Sequence, residues 1–371
     1  MWRLAVGVLV VARVGLELVG LASLNLAPAG EVNGEWSGLI GAQGEPLALS
    51  LWQRWDALWY QRIAEGWYRA GDGTVHFEPL YPLLARIAAL VVRPTVLADL
   101  VVSSAAFVVA ACLLVKVAEP HAGCEGARLA LLLAVAFPTG FFLFAPYTES
   151  LYLALGLGAF WLGEHDRPWL AGACGFAAGC ARTVGGFLVA PLAYAYLARR
   201  AQKSERPGLA LAAALGPGLG LAVSTAYLRL STGEQRSMLE VAKPWGDRLS
   251  PPWEALPASW SFIWARGGDP PELVNLLGLV GAFALAVVVT KRLPLAYALY
   301  VWPYLLLLAS RQSAAAPLES VARYLVVLFP LWIALGGLLA RRRALAGAWL
   351  AIGLMVQVVL FERWVHFGFV G

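Results

Sequence analysis

Apolar runs about as long as a bilayer is thick recur along the whole 371-residue chain. A crossing takes about 20 residues of helix, and a backbone in lipid must satisfy its own hydrogen bonds. Runs of this kind therefore predict an all-α, polytopic integral membrane protein forming a single domain over 1–371. The charge content agrees. Only 14% of residues are charged and 60% are hydrophobic, whereas soluble domains carry about 25% charged residues. This excludes an ordinary soluble protein, a disordered chain and a nucleic-acid binder. The net charge of +5 comes from basic residues scattered between apolar runs, not from a basic face.

Eleven spans are expected near 4–22, 97–116, 128–144, 150–163, 168–181, 183–198, 208–230, 272–290, 293–309, 322–340 and 344–361. The first follows Met1–Arg3 without a small-residue cleavage site, so it reads as a transmembrane helix. The short connections Lys116–Arg128, Glu164–Arg167, Arg199–Arg206, Lys291–Arg292 and Arg341–Arg343 are basic. The positive-inside rule places them, with the N-terminus, in the cytoplasm. The segment 80–92 is too short for a comfortable crossing and reads as an interfacial or re-entrant helix. Counting it as a span would make twelve crossings and invert the N-terminus.

The longer loops 23–79, 231–271 and 310–321 then face outward. The first two hold Trp36, Trp52, Trp55, Trp59, Trp67, Trp245, Trp253, Trp260 and Trp264, nine of the sixteen tryptophans. They can form an aromatic belt at the membrane surface or the wall of a groove for a lipid-linked or sugar ligand. Cys112, Cys124, Cys174 and Cys180 match no zinc or redox spacing and read as small packing side chains.

Four stretches can carry chemistry. Leu51–Tyr68, wound as one helix, puts Leu51, Trp52, Trp55, Leu58, Trp59 and Ile63 on one arc and Gln53, Arg54, Gln61 and Glu65 on the other. Such a helix suits the interface plane. Asp56 sits at the boundary of the arcs with Trp52, Trp59 and Tyr60 one turn away. It is either a solvated interfacial aspartate or a carboxylate held between rings, where lost solvent makes a better base. In Phe137–Glu149, Pro146 and Tyr147 mark an outward turn, and Glu149 opens the next helix, either as a cap or facing Asp56 across a site. Arg182–Thr183 lies between two short glycine-rich apolar segments. An arginine at that depth is paired with a carboxylate or meets a phosphate. Arg323 and Tyr324 enter a span from the outer face, either snorkelling or contacting phosphate or glycan. Arg13 and Glu17, four apart in the first helix, are expected to pair. No P-loop, HExxH or clustered His/Cys set occurs, so a nucleotide-using ATPase is not indicated.

In chain order, WDALWYQRIAEGWY, FEPLYPLLARI, FPTGFFLFAPYTESLYLAL, ARTVGG and ARYLVVLFPLWIAL resemble the PIG-V family. That family includes the eukaryotic enzyme adding the second mannose of GPI anchors, together with bacterial relatives. It belongs to the GT-C superfamily of polyprenyl-phosphate-sugar-dependent glycosyltransferases. The resemblance runs from about 52 to 340 and implies a GT-C-like core over 1–230, followed by loop 231–271 and C-terminal helices. It implies Asp56 as the catalytic base, Glu149 as the second acidic catalytic position, and Arg182 and Arg323 as contacts of the lipid phosphate. Trp55, Trp59, Tyr60, Glu78, Tyr147 and Tyr324 would line the substrate site. Glu78, in FEP, stands where the family pattern has an aromatic.

The expected activity is an inverting mannosyl transfer from polyprenyl-phosphate-mannose to a glycolipid or glycan acceptor, on the extracytoplasmic face of a bacterial plasma membrane. A lipid phosphate is a good leaving group, so no cofactor is required. A divalent ion between Asp56 and Glu149 is compatible with two carboxylates but has no metal-binding motif behind it. The rival class is a transporter or flippase, which predicts internal symmetry and paired broken helices that the sequence does not display. Use of another lipid-linked sugar and a non-catalytic scaffold role are further alternatives.

Overall fold

The computed structural model describes residues 1–27, 45–234 and 248–370. Trp36 and Trp245 lie outside the described residues. Of the described residues, 76% are helical. Its helices are α1 (Trp2–Leu26), α2 (Leu47–Ser50), α3 (Asp56–Gly66), α4 (Leu80–Ala88), α5 (Thr95–Val135), α6 (Glu149–Glu164), α7 (Pro168–Ala181), α8 (Val189–Gln202), α9 (Gly216–Thr232), α10 (Ala255–Ala265), α11 (Pro270–Arg292), α12 (Leu295–Ser310), α13 (Val321–Leu325), α14 (Phe329–Leu339) and α15 (Arg343–Val365). Two-residue strands β1 (Arg248–Leu249) and β2 (Arg311–Gln312) pair antiparallel.

Each apolar run falls on helical structure. The stretches Trp2–Leu26, Thr95–Val135, Leu209–Thr232, Pro270–Arg292 and Arg343–Val365 are long and apolar enough to cross a bilayer unaided. Pro168–Ala181, Leu295–Ser310 and Phe329–Leu339 are apolar but shorter. The chain is a multi-pass membrane protein.

Two expectations are revised in detail. The basic connection Lys116–Arg128 is not an open loop. α5 runs through it, broken at Gly123, whose φ of 71° and ψ of 171° no helix contains, three residues after Pro120. The helix of the first loop is shorter than 51–68. Trp55 takes φ 53°, ψ −125°, so the chain turns sharply and α3 begins only at Asp56. The supposed polar arc is only partly solvated: Arg54 and Gln61 are buried, Gln53 is half-buried and Glu65 is exposed. Trp52, set free of the helix register, packs at a tilt against both Phe361 and Trp364 of α15, which stack on each other. There Glu17 accepts its indole N–H at 2.8 Å and Arg13 stacks over its ring at 4.5 Å. Arg13 and Glu17 thus meet at Trp52, which ties α1 to the site loop.

The segment 80–92 holds only the nine-residue α4, roughly 14 Å long and too short to cross. Tyr81, Pro82 and Ala85 are buried, while Leu83, Ile87, Leu90 and Val91 are exposed along the same segment. That exposed apolar row suits lipid contact at the rim of the bundle.

The bundle core relies on small residues. α7 and α9 approach so closely that a Cβ at Gly220 would overlap the Phe176 carbonyl, and one at Gly179 the Pro217 carbonyl. This close approach replaces the hydrophobic drive that lipid removes. Gly220→Ala is therefore expected to force the two helices apart at a cost of about 1–3 kcal/mol. Thermal unfolding in detergent reads this out, and an unchanged midpoint would contradict the packing argument.

The two ends of the bundle differ. At one end Lys203 pairs with Asp166 at 2.6 Å, Arg199 reaches the Glu164 carbonyl, and Tyr297 links His121 to Glu164. Lys203 holds the exposed Asp166 carboxyl below its usual range, chiefly through their hydrogen bond. Most of the basic connections gather here. The described parts of the longer loops lie at the other end, with the residues described next.

Candidate active site

Four charged residues from four distant segments form one chain of contacts. Arg323 donates from Nη1 to Asp56 Oδ2 at 2.6 Å and from Nε to Glu149 Oε1 at 2.5 Å. Arg182 Nη1 reaches the same Glu149 oxygen at 2.8 Å and the Thr148 hydroxyl at 3.2 Å. The order is Asp56–Arg323–Glu149–Arg182. Two carboxylates face two guanidiniums, so the buried cluster is electrically balanced, the condition for keeping such charges out of water.

Local structure explains each position. Asp56 is the first residue of α3, just past the Trp55 turn. Glu149 opens α6, where a carboxylate suits the free amides and the dipole. Arg182 ends α7 in extended conformation, before the 3-10 turn Thr183–Leu188. Arg323 sits in the five-residue α13, entered through Ser320 at φ 66°. Asp56, Glu149 and Arg182 thus stand where a helix starts or stops, and Arg323 in the middle of a single short turn of helix.

Burial grades the cluster. The Glu149 side chain is fully buried and that of Arg323 is 5% exposed, whereas Arg182 is 10% and Asp56 25% exposed. Asp56 is the carboxylate that an external hydroxyl can reach. Glu149 does not face Asp56 as a second open acid, because the Arg323 guanidinium lies between them. That group also fills the place a bridging cation would take. Asp56 has Arg323 as its partner, rather than rings alone.

Aromatic rings back the guanidiniums. Arg323 lies over Tyr147 at 4.5 Å and over Phe142 at 5.0 Å. Tyr324 has Arg182 over its ring at 5.1 Å and Arg311 at 5.5 Å, and Arg311 donates to its hydroxyl at 3.2 Å. Tyr147 is buried and spends its hydroxyl on the Arg54 carbonyl at 3.0 Å. It therefore supports Arg323 from behind. Tyr60 packs edge-on against Tyr147, Phe77 and Tyr81. Burial holds its phenol well above the usual range, and Asp56 and Glu149 push the same way, so it stays protonated.

The remaining expected residues sit at the flank. Glu78 is buried and accepts from the Thr183 hydroxyl at 2.9 Å, one residue from Arg182. Trp59 stacks on Phe77 at 5.6 Å, and Trp55 meets Phe369 edge-on at 5.1 Å. Trp253, Trp260 and Trp264, in and beside α10, are 73%, 58% and 77% exposed, as a belt at the lipid surface requires.

Sequence reasoning missed Arg54, Arg311 and Thr148. Arg54 was expected in the solvent arc of a longer helix. It is buried and donates to the carbonyls of Val365 (2.6 Å), Ser50 (2.6 Å) and Gln53 (3.0 Å), with Phe367 stacked on its face. Burial pulls this guanidinium down to about 10, so it remains charged at neutral pH. It clamps α15 onto the Asp56 turn. Thr148 adjoins Glu149 in YTES, the one local signal available. Nothing around Arg311 in the sequence points to it.

No family model matches the chain, and no curated sequence matches it significantly. The PIG-V resemblance therefore rests on its motifs alone. Among solved structures the chain is similar to ArnT from Cupriavidus metallidurans bound to undecaprenyl phosphate, with a TM-score of 0.52 at 14% identity. The match covers 94% of this chain and 63% of ArnT, so the chain spans less than two thirds of that protein. A likeness at this identity concerns architecture alone, and in architecture the chain is an all-α, multi-pass membrane protein with an ArnT-like fold.

Proposed function

We propose that the chain is a membrane glycosyltransferase that moves a sugar from a polyprenyl-phosphate donor to a glycolipid or glycan acceptor. The observation that carries this reading is the Asp56–Arg323–Glu149–Arg182 chain of ion pairs at one end of the bundle. ArnT, with the same architecture, is bound to undecaprenyl phosphate, a lipid phosphate of the kind proposed here.

In this reading Asp56 removes the proton from an acceptor hydroxyl as that oxygen attacks the anomeric carbon. The bond from that carbon to the phosphate oxygen breaks on the opposite side, so the anomeric configuration inverts. Negative charge grows on the departing lipid phosphate. Arg182, with Tyr324 and Arg311 beside it, would bind that charge, and preorganised charges of this kind commonly supply the largest share of catalysis. Glu149 contributes by aiming Arg182 and Arg323 and is a positioning residue. The PIG-V motifs favour mannose as the sugar, and the basic connections at the opposite end favour an extracytoplasmic site.

The test is to supply the purified protein with polyprenyl-phosphate-mannose and a panel of acceptors and to follow release of polyprenyl phosphate. Release that requires acceptor supports the proposal. Movement of the lipid across proteoliposomes without bond cleavage would replace it with a flippase.

A further inference from the structure

Arg323 joins both carboxylates of the cluster, yet it stands on a helix of only five residues that cannot hold its own direction. What holds it is on another helix. Glu272, on the first turn of α11, is buried and accepts the Leu318 backbone N–H through Oε1 at 2.9 Å. Asn275, one turn on and also buried, accepts the Ala322 N–H at 2.9 Å. The Asn275 amide points back to Glu272 Oε2 at 3.4 Å, linking the two. From the opposite side the Thr139 hydroxyl donates to the Ala322 carbonyl at 2.9 Å.

These bonds bracket Ser320, whose φ of 66° is unusual for a residue with a side chain. Such a conformation persists only where the surroundings over-determine it. Bonds at 318 and 322, either side of the strained residue, do this and set the direction in which α13 leaves the turn. Both polar side chains are buried at the start of α11, away from lipid, and each gives one acceptor oxygen to this turn.

We propose that Glu272 and Asn275 are positioning residues that aim Arg323 at Asp56 and Glu149, acting through the backbone of residues 318–322. The inference about position rests on these contacts alone; its consequence for turnover rests on the glycosyltransferase reading above.

The experiment therefore has two arms. In the first, full-length protein in detergent is treated with phenylglyoxal, and modification of Arg323 and Arg182 is followed by peptide mass spectrometry. Glu272→Ala and Asn275→Ala are expected to speed modification of Arg323 by about tenfold through local opening, with Arg182 little changed. Glu272→Gln, which keeps an acceptor for the Leu318 N–H, is expected to restore most of the protection. Equal acceleration at both arginines would mean general loosening and would overturn the proposal, as would no acceleration at Arg323.

The second arm is a double-variant cycle on donor consumption. Glu272→Ala is expected to lower kcat about tenfold with little change in KM, and to add almost nothing in an Arg323→Lys background, since residues acting through one group are not additive. Full additivity would overturn the proposal. If the wild type consumes no donor, the function is at fault, and the first arm still decides whether the clasp exists.

Discussion

Replacing Asp56 by Asn is expected to lower turnover by about 10²–10⁴-fold, the usual contribution of a positioned base. The substitution is nearly isosteric. An asparagine oxygen can still accept from Arg323, which Asp56 meets at 2.6 Å, so the cluster keeps its shape. KM for the donor and the unfolding midpoint should stay close to wild type, because the loss is one of proton acceptance and not of binding. The measurement is release of polyprenyl phosphate at saturating acceptor, against a matched thermal melt. Wild-type turnover in Asp56→Asn would remove the base from the mechanism. Collapse of the melt would assign Asp56 a structural role instead.

Glu149→Ala should have the largest effect on stability. The Glu149 side chain is fully buried, and one of its oxygens receives both Arg323 and Arg182. Removing it leaves Arg182 with the Thr148 hydroxyl as its remaining hydrogen-bond partner at the cluster, and Arg323 with Asp56 alone. Breaking a buried pair by deleting one partner typically costs about 3–5 kcal/mol, because the orphaned charge stays in low dielectric. The variant is expected to unfold at a markedly lower temperature in detergent or to fail to yield monodisperse protein. Glu149→Gln, which keeps an acceptor oxygen but no charge, should fall between. A Glu149→Ala protein as stable as wild type would mean that water or lipid phosphate reaches the arginines freely, and the cluster would no longer qualify as buried.

The contrast between the two carboxylates illustrates what local pattern can and cannot convey. Asp56 and Glu149 are both acids beside apolar runs, and the sequence leaves each with a structural and a catalytic reading. Burial separates them, with Asp56 a quarter exposed and Glu149 sealed, which is why the proposed mechanism gives proton acceptance to the first and positioning to the second. Arg54 shows the same limit from the other direction. Its place in a helical wheel assigned it to solvent, but the turn at Trp55 ends the wheel before it applies, and α15 closes over the side chain. Glu272 and Asn275 attracted no attention as sequence because two polar residues at the start of a span look like an ordinary boundary.

What the sequence determined by itself was the solvent and the architecture. Long apolar runs with basic connections leave few alternatives to a helical membrane bundle, since lipid offers no partner to an unpaired backbone. Sparse charge also made the site candidates few, and Asp56, Glu149, Arg182 and Arg323 were all among them. What only the tertiary structure decided was their connection and their order. Arg323 lies 267 residues from Asp56 and 174 from Glu149. Helical periodicity reaches a few residues and carries no information across such separations. The pairing follows from how α3, α6, α7 and α13 end at one level of the bundle, and that level is set by packing among all the helices between them.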